Sequence, residues 1–382
     1  VRRLVVVAVA LAAACCPAAA AAIRSDWPPV AISSPSGSGD FGSWRVDSFG
    51  LPSYRYRVDE LRDLIARQPE LAGSTDAAHQ VGNDHIVADA FNHGYVELWS
   101  QDRRYEWTNR YDATTDHLAG GFGYLRVGRR VISTLYDDRP RGSRTLRDFG
   151  VGYVRHATTD AGLTVDEYAY APFGDDPVLL HDVTIRNDGS RRRRVSWFEY
   201  WDVNPFDQAT KEAVGTGAVR WIPGLRALVA RQLPTTLDRR PLTIFAAVVR
   251  GPLDGHVGDA RAFFGAGSGA LPASVAADRL NGALAPSTAA GRVGRAMFGF
   301  RAAVALAPHP RRRCATADPG TRPGTPGRTG SSRLARRCAA RGSPRTWRPS
   351  GACTRPIAAR ARAIGGRTRP AEPRAPVLLA HA

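Results

Sequence analysis

The chain has 382 residues, a formal net charge of +18 and five cysteines. That length has room for two or three ordinary domains, or for one large β domain with extensions. Residues 301–382 hold 18 arginines against only Asp318 and Glu372, which leaves about +2 for the first 300 residues. The region with core-forming composition is therefore nearly neutral, and the overall basicity says little about its partners. No cysteine lies between Pro17 and Arg313. This excludes a disulfide scaffold, a cysteine zinc site and a thiol nucleophile for that region.

Arg2 and Arg3 precede an apolar run from Leu4 to Ala14, and Ala18 to Ala22 offer small-residue cleavage sites. Residues 1–22 read as a signal peptide, which implies a secreted or periplasmic protein. Cys15 and Cys16 close the run, so a lipoprotein anchor stays open. Residues 23–40, rich in Pro, Ser and Gly, read as a linker. Structure is expected from Phe41 onward, with a short helix capped by Asp59 that places Leu61, Leu64 and Ile65 on one face. Gly73 to Asp84 reads as a polar loop.

From His85 the pattern changes to short strands at regular spacing. Expected strands are 85–90, 94–100, 105–108, 123–127, 130–135, 150–158 and 164–171, then 218–223, 226–231, 242–250, 261–264 and 298–306. A helical turn is expected at Asp278 to Leu284. So many strands with almost no helix between them argue for a mainly β, large antiparallel sandwich spanning 41–306.

The stretch from Leu163 to Asp207 organises this region. His181, Val183 and Ile185 alternate with Asp182, Thr184 and Arg186, a period of two. Asn187-Asp188-Gly189-Ser190 reads as a tight hairpin, because Asp-Gly tolerates the positive φ such turns use. The return strand carries Trp197, Phe198, Tyr200 and Trp201 on both faces. The sheet is then either covered on both sides, or covered on one side and lining a groove on the other.

Near Leu306 the composition turns to Arg, Ala, Pro, Gly, Ser and Thr without helical or strand period. Residues 307–382 are expected to be a disordered tail, since they lack the apolar surface to offset an ordering entropy of roughly 1–2 kcal/mol per residue. A basic tail could engage nucleic acid or anionic lipid. A reading-frame slip near His309 accounts for the composition more simply, and no specific nucleic-acid partner is expected.

No phosphate-binding loop, metalloprotease motif or nucleophile elbow is present, and Lys211 is the only lysine. Gly120-Gly121-Phe122-Gly123 reads as a turn. His79, His85, His93 and His117 fit no metal spacing, so no metal or cofactor is expected. The most informative chemistry is the mixture of rings and planar polar groups between Trp99 and Tyr111. Sugars present apolar C–H faces and a hydroxyl rim; rings stack on the first, and amides and carboxylates serve the second. Trp99, Gln101, Asp102, Trp107, Asn109 and Tyr111 are therefore candidate carbohydrate-binding residues. Glu199 and Trp201 join them as a carboxylate and a ring from one aromatic strand, though Glu199 also suits a cross-strand arginine.

The segments Ala119–Tyr124, Arg129–Tyr136, Asp148–Arg155, Ala171–Arg186, Asn187-Asp188-Gly189 and Arg192–Trp201 together resemble the N-terminal sandwich of the glycoside hydrolase family 94 phosphorylases. The resemblance spans roughly Phe41 to Leu306. It implies a β-supersandwich of galactose-mutarotase-like type and, in the family, inverting phosphorolysis or glycosyl transfer on β-glucosides. The family's catalytic aspartate and phosphate site lie in a following (α/α)6 barrel, for which the tail offers no amphipathic period. The resemblance thus implies a truncated, carbohydrate-binding chain without catalytic residues. Its partner would be an oligo- or polysaccharide, with phosphate only where a catalytic domain is present; a homodimer stays open. A mutarotase-like epimerase is the alternative reading. It would need a histidine facing a carboxylate across the sheet, and His181 with Glu199 is the pair to examine. A non-catalytic saccharide-binding module is the other.

Overall fold

The computed structural model describes residues 42–56, 77–101, 106–112, 115–292 apart from 236 and 241, 294–308, and the backbone of 374–381. The signal peptide, the linker, the helix expected after Asp59, Asp102 and residues 309–373 lie outside the described residues. The described part belongs to one compact unit, 1–310 with 372–382.

Alternating apolar and polar residues build three main antiparallel sheets. A ten-stranded sheet begins with β1 (Gly42–Val46), β2 (Pro52–Tyr56), β11 (Arg144–Gly150), β12 (Tyr153–Asp160), β13 (Leu163–Tyr170) and β14 (Val178–Asn187). It continues through β23 (Arg374–His381), β20 (Thr243–Val248), β19 (Ala227–Arg231) and β18 (Arg220–Ile222). A five-stranded sheet runs β10 (Arg130–Ser133), β9 (Gly120–Val127), β15 (Arg193–Asp202), β22 (Ala296–Leu306) and β21 (Gly255–Asp259). A six-stranded sheet runs β17 (Glu212–Ala213), β16 (Phe206–Asp207), β6 (Glu106–Asn109), β5 (Val96–Ser100), β4 (Ile86–Phe91) and β3 (Ala78–Gly82). A small pair, β7 (Tyr111–Asp112) with β8 (His117–Leu118), links the last two.

The sheets stack through shared cores. Ile86, Ala88 and Leu98 of the six-stranded sheet meet Leu179, Leu228 and Ile244 of the ten-stranded one, with Trp201 and Phe298 between. Leu125, Val195 and Trp197 of the five-stranded sheet meet Leu163, Val165 and Val183. The outer face of the five-stranded sheet is covered as well: Phe122, Tyr124, Phe198 and Tyr200 pack against Phe263 and Val275. Both faces of β15 are therefore buried, which accounts for its aromatic density.

Several local expectations are corrected. The predicted hairpin at 187–190 does not form, because β14 pairs with β13 and β23 whereas β15 pairs with β9 and β22. The connection crosses between layers. Asn187 accepts from the Gly189 N–H at 3.1 Å and donates to the Arg191 carbonyl at 2.7 Å, and Gly189 keeps a negative φ. Residues 261–264, expected as strand, lie in a one-turn helix, Ala260–Phe264, capped by Asp259, which accepts from the Arg261 N–H at 2.8 Å. A four-residue apolar run carries too little period to separate the two states. The helical turn lies at Ala273–Ala276 rather than 278–284, and the polar stretch 73–84 contains β3. Gly120 to Gly123 form strand, not a turn: a Cβ on Gly120 would sit 2.5 Å from Trp201 Cε3, and one on Gly123 would overlap Trp197. These glycines let two indoles lie against the backbone of β9.

The expectation of a disordered tail is corrected at residues 374–381. Residues 374–381 enter the ten-stranded sheet between β14 and β20. Ala375 to Ala380 is the longest apolar run beyond residue 310, and two ladder edges face each other there. Pro376, which has no N–H to donate, pairs opposite Asp182 and lies outside the β20 ladder, which runs from Val377 to His381.

Candidate functional site

The aromatic stretch from Trp99 to Tyr111 folds as one corner of the six-stranded sheet. Trp99 opposes Trp107 across β5 and β6, and Trp107 opposes Phe206 across β6 and β16. In-register neighbours in adjacent strands share a face, so the three rings form a row across about 10 Å, two strand spacings. The Trp99 and Trp107 centroids are 6.1 Å apart at 55°. All three rings are half-buried, each presenting part of its surface. Trp99 Nε1–H donates to Asp89 Oδ2 at 3.2 Å, which orients that indole.

Asn109 makes this arrangement possible from beneath. It is fully buried, accepting from the Leu98 N–H at 2.7 Å and donating to the Val96 carbonyl at 2.9 Å. Its amide replaces ladder bonds where the β5–β6 register shifts between Leu98 and Trp99. That bulge re-aims Trp99 toward Trp107. Asn109 is thus a buried framework residue, not a sugar contact. Tyr111 lies apart from the row, stacked on Tyr95 at 4.5 Å, and Gln101, exposed, donates to the Asn83 carbonyl. Phe206 was missed by sequence reasoning; only its register opposite Trp107 brings it into the row.

The structure takes Glu199 and Trp201 away from any saccharide surface. Trp197, Glu199 and Trp201 share the inner face of β15. The Glu199 carboxylate accepts from His181 Nδ1 at 2.7 Å, Trp197 Nε1 at 2.8 Å and Trp201 Nε1 at 2.8 Å. Glu199 and His181 are each 1% exposed and Trp201 is wholly buried. Its partners are a histidine and two indoles rather than the arginine its position suggested. Burial opposes charge on His181, but the adjacent Glu199 outweighs it and raises the pKa above its ordinary value. Glu167, 3.9 Å from His181 Nε2, is pushed up to about 8 by burial. Arg147, His156 and Glu167 lie in register across β11, β12 and β13 and extend this stripe through the sandwich. Burial, with Arg147 and His181 nearby, holds the His156 pKa well below the usual range. The His181–Glu199 pair that epimerase chemistry would need is therefore internal, turned away from the surface of the described residues.

A second histidine–carboxylate pair lies near the ring row. His117 on β8 meets Asp202 at the end of β15, Nδ1 to Oδ2 at 2.6 Å. Burial disfavours its charge, but the Asp202 hydrogen bond and charge, helped by Asp112 and Asp116, raise its pKa. Among the described residues no group of three or more His, Cys, Asp or Glu side chains could hold a metal ion.

No curated protein matches this chain. A family model described as "Glycosyl hydrolase 94, supersandwich domain" matches residues 69–317, more than half of the chain. That span covers β3 to β22, with the ring row and the buried stripe inside it. Stacked antiparallel sheets with that match place the chain in the glycosyl hydrolase 94 family, as a bearer of its supersandwich domain.

Proposed function

We propose that this protein binds an oligo- or polysaccharide of the β-glucoside class through its supersandwich, and that the sandwich breaks no glycosidic bond by itself. The observation that carries the reading is the half-buried row Trp99–Trp107–Phe206, stiffened by the Asn109 bulge. Rings fixed on adjacent strands lose little entropy when a sugar stacks on them. The family supports a carbohydrate partner. Lack of cleavage is supported by the buried carboxylates: Glu167 and Glu199 are each 1% exposed and held by protein donors, so neither can protonate a glycosidic oxygen.

Native-gel affinity electrophoresis of the full chain in mixed-linkage β-glucan tests the binding. Retardation that Trp107→Ala abolishes is expected; equal mobility with and without glucan would refute it. Incubation with cellobiose and phosphate tests the second clause, and released glucose 1-phosphate would defeat it. Residues 1–22 support export as part of the same reading; a periplasmic reporter fused after residue 40 should be active.

A further inference from the structure

A cavity of about 180 Å³ lies beside the Phe206 end of the ring row. Val203, Pro205, Phe206 and Val214 supply apolar wall, and Arg110, Asp112, His117, Thr216 and Arg292 the polar lining. The charges are largely paired. Arg110 Nη2 lies 3.5 Å from Asp112 Oδ2 with its guanidinium 4.0 Å over the Phe206 ring, and His117 is held by Asp202. Arg292, exposed, stands on the rim. Thr216 backs the apolar wall: it is 2% exposed and its Oγ1 is closed off from solvent. Nδ1 of His117 is committed to Asp202, so Nε2 is the ring nitrogen left for a ligand.

We propose that this cavity is a subsite for one neutral pyranose unit, the end of a saccharide laid along Trp99 and Trp107. The class of ligand rests on the saccharide reading above; the site rests on the cavity itself. Its volume falls below the roughly 300–1,000 Å³ of drug-sized sites, a size that suits a single sugar ring. Paired charges with both donors and acceptors suit hydroxyls better than an ion. The apolar wall suits the C–H face of the ring. Phe206 belongs to both the row and the cavity, so the two adjoin.

Ligand-observed NMR and calorimetry on the full chain test this with methyl β-D-glucopyranoside, cellotetraose and inorganic phosphate. Methyl glucoside should bind, and His117→Gln and, independently, Arg292→Ala should weaken it about tenfold. Arg292 is exposed, so its variant reports even if His117→Gln misfolds. Trp107→Ala should weaken cellotetraose while sparing methyl glucoside. The subsite is overturned if methyl glucoside does not bind, if both cavity variants leave its affinity unchanged, or if phosphate displaces it. Cellotetraose binding that depends on Trp107 alone would sink the cavity and spare the ring row. Absence of binding by every saccharide would sink both.

Discussion

Replacing Glu199 by glutamine probes the centre of the sandwich with almost no change of shape. The carboxylate now accepts three hydrogen bonds, two at Oε1 and one at Oε2. A glutamine oxygen at the Oε1 position keeps the bonds from His181 and Trp201. Its amide nitrogen then faces the Trp197 N–H, donor against donor. One hydrogen bond to a charged acceptor is lost, about 1.5–3 kcal/mol, and the buried His181 loses its counter-charge. Breaking a buried pair costs about 3–5 kcal/mol where one charge is left behind. His181 can shed its proton, which removes most of that second cost, so about 3 kcal/mol is expected in total, the upper end for the lost hydrogen bond. Urea unfolding followed by tryptophan fluorescence measures it. With a slope near the upper end of the roughly 1–3 kcal/mol/M range, the midpoint should fall by about 1 M. A midpoint within about 0.2 M of the parent would refute the reasoning, because Glu199 would then not be the acceptor that satisfies three buried donors.

Other consequences are equally open to measurement. Glu167 has a folded pKa of about 8 against a reference of 4.5, so the folded state holds its proton through that window while the unfolded state has lost it. Stability from this group is intact below 4.5 and falls as pH rises through 8; Glu167→Gln should flatten the decline of thermal midpoint between those values. His156 has a depressed pKa, so its contribution is present above 6.5 and lost as pH falls below it; His156→Gln should protect the acid side. Gly123→Ala forces a methyl into the Trp197 ring and the Phe198 carbonyl of the facing strand; insoluble protein is expected, and a soluble variant with parental circular dichroism would contradict the packing. Deleting 374–382 leaves the β14 and β20 ladder edges open. Aggregation by light scattering is expected, relieved by a synthetic peptide of the deleted residues.

Much of the fold was legible along the chain because antiparallel strands write their burial locally. The alternation of β14, HDVTIR, appears in the structure as buried and half-buried residues in turn, and period two needs no knowledge of neighbours. The aromatic density of β15 announced a sheet covered on at least one face. Which strands pair was another matter. The Asp-Gly turn pointed to a hairpin that local chemistry permits, but β14 and β15 belong to different layers. Residues 261–264 carry no period that distinguishes their helical turn from strand.

The candidate site divides along the same line. Composition alone marked Trp99 and Trp107 as rings set among polar partners, and residue type suffices for that. Residue type could not say that Asn109, Glu199 and Trp201 are buried, since each has the same hydrogen-bonding capacity inside as outside. Phe206, His117 and Thr216 carry no local signal. They meet Trp107, Asp202 and the cavity only because strands distant in sequence are brought into register. The sequence by itself determined strand content, a nearly neutral sandwich and the gathering of rings with planar polar groups between Trp99 and Tyr111, because these depend on composition and short-range pattern. Tertiary structure decided which carboxylates are locked away and where the rings face, because burial and register are set by neighbours far along the chain.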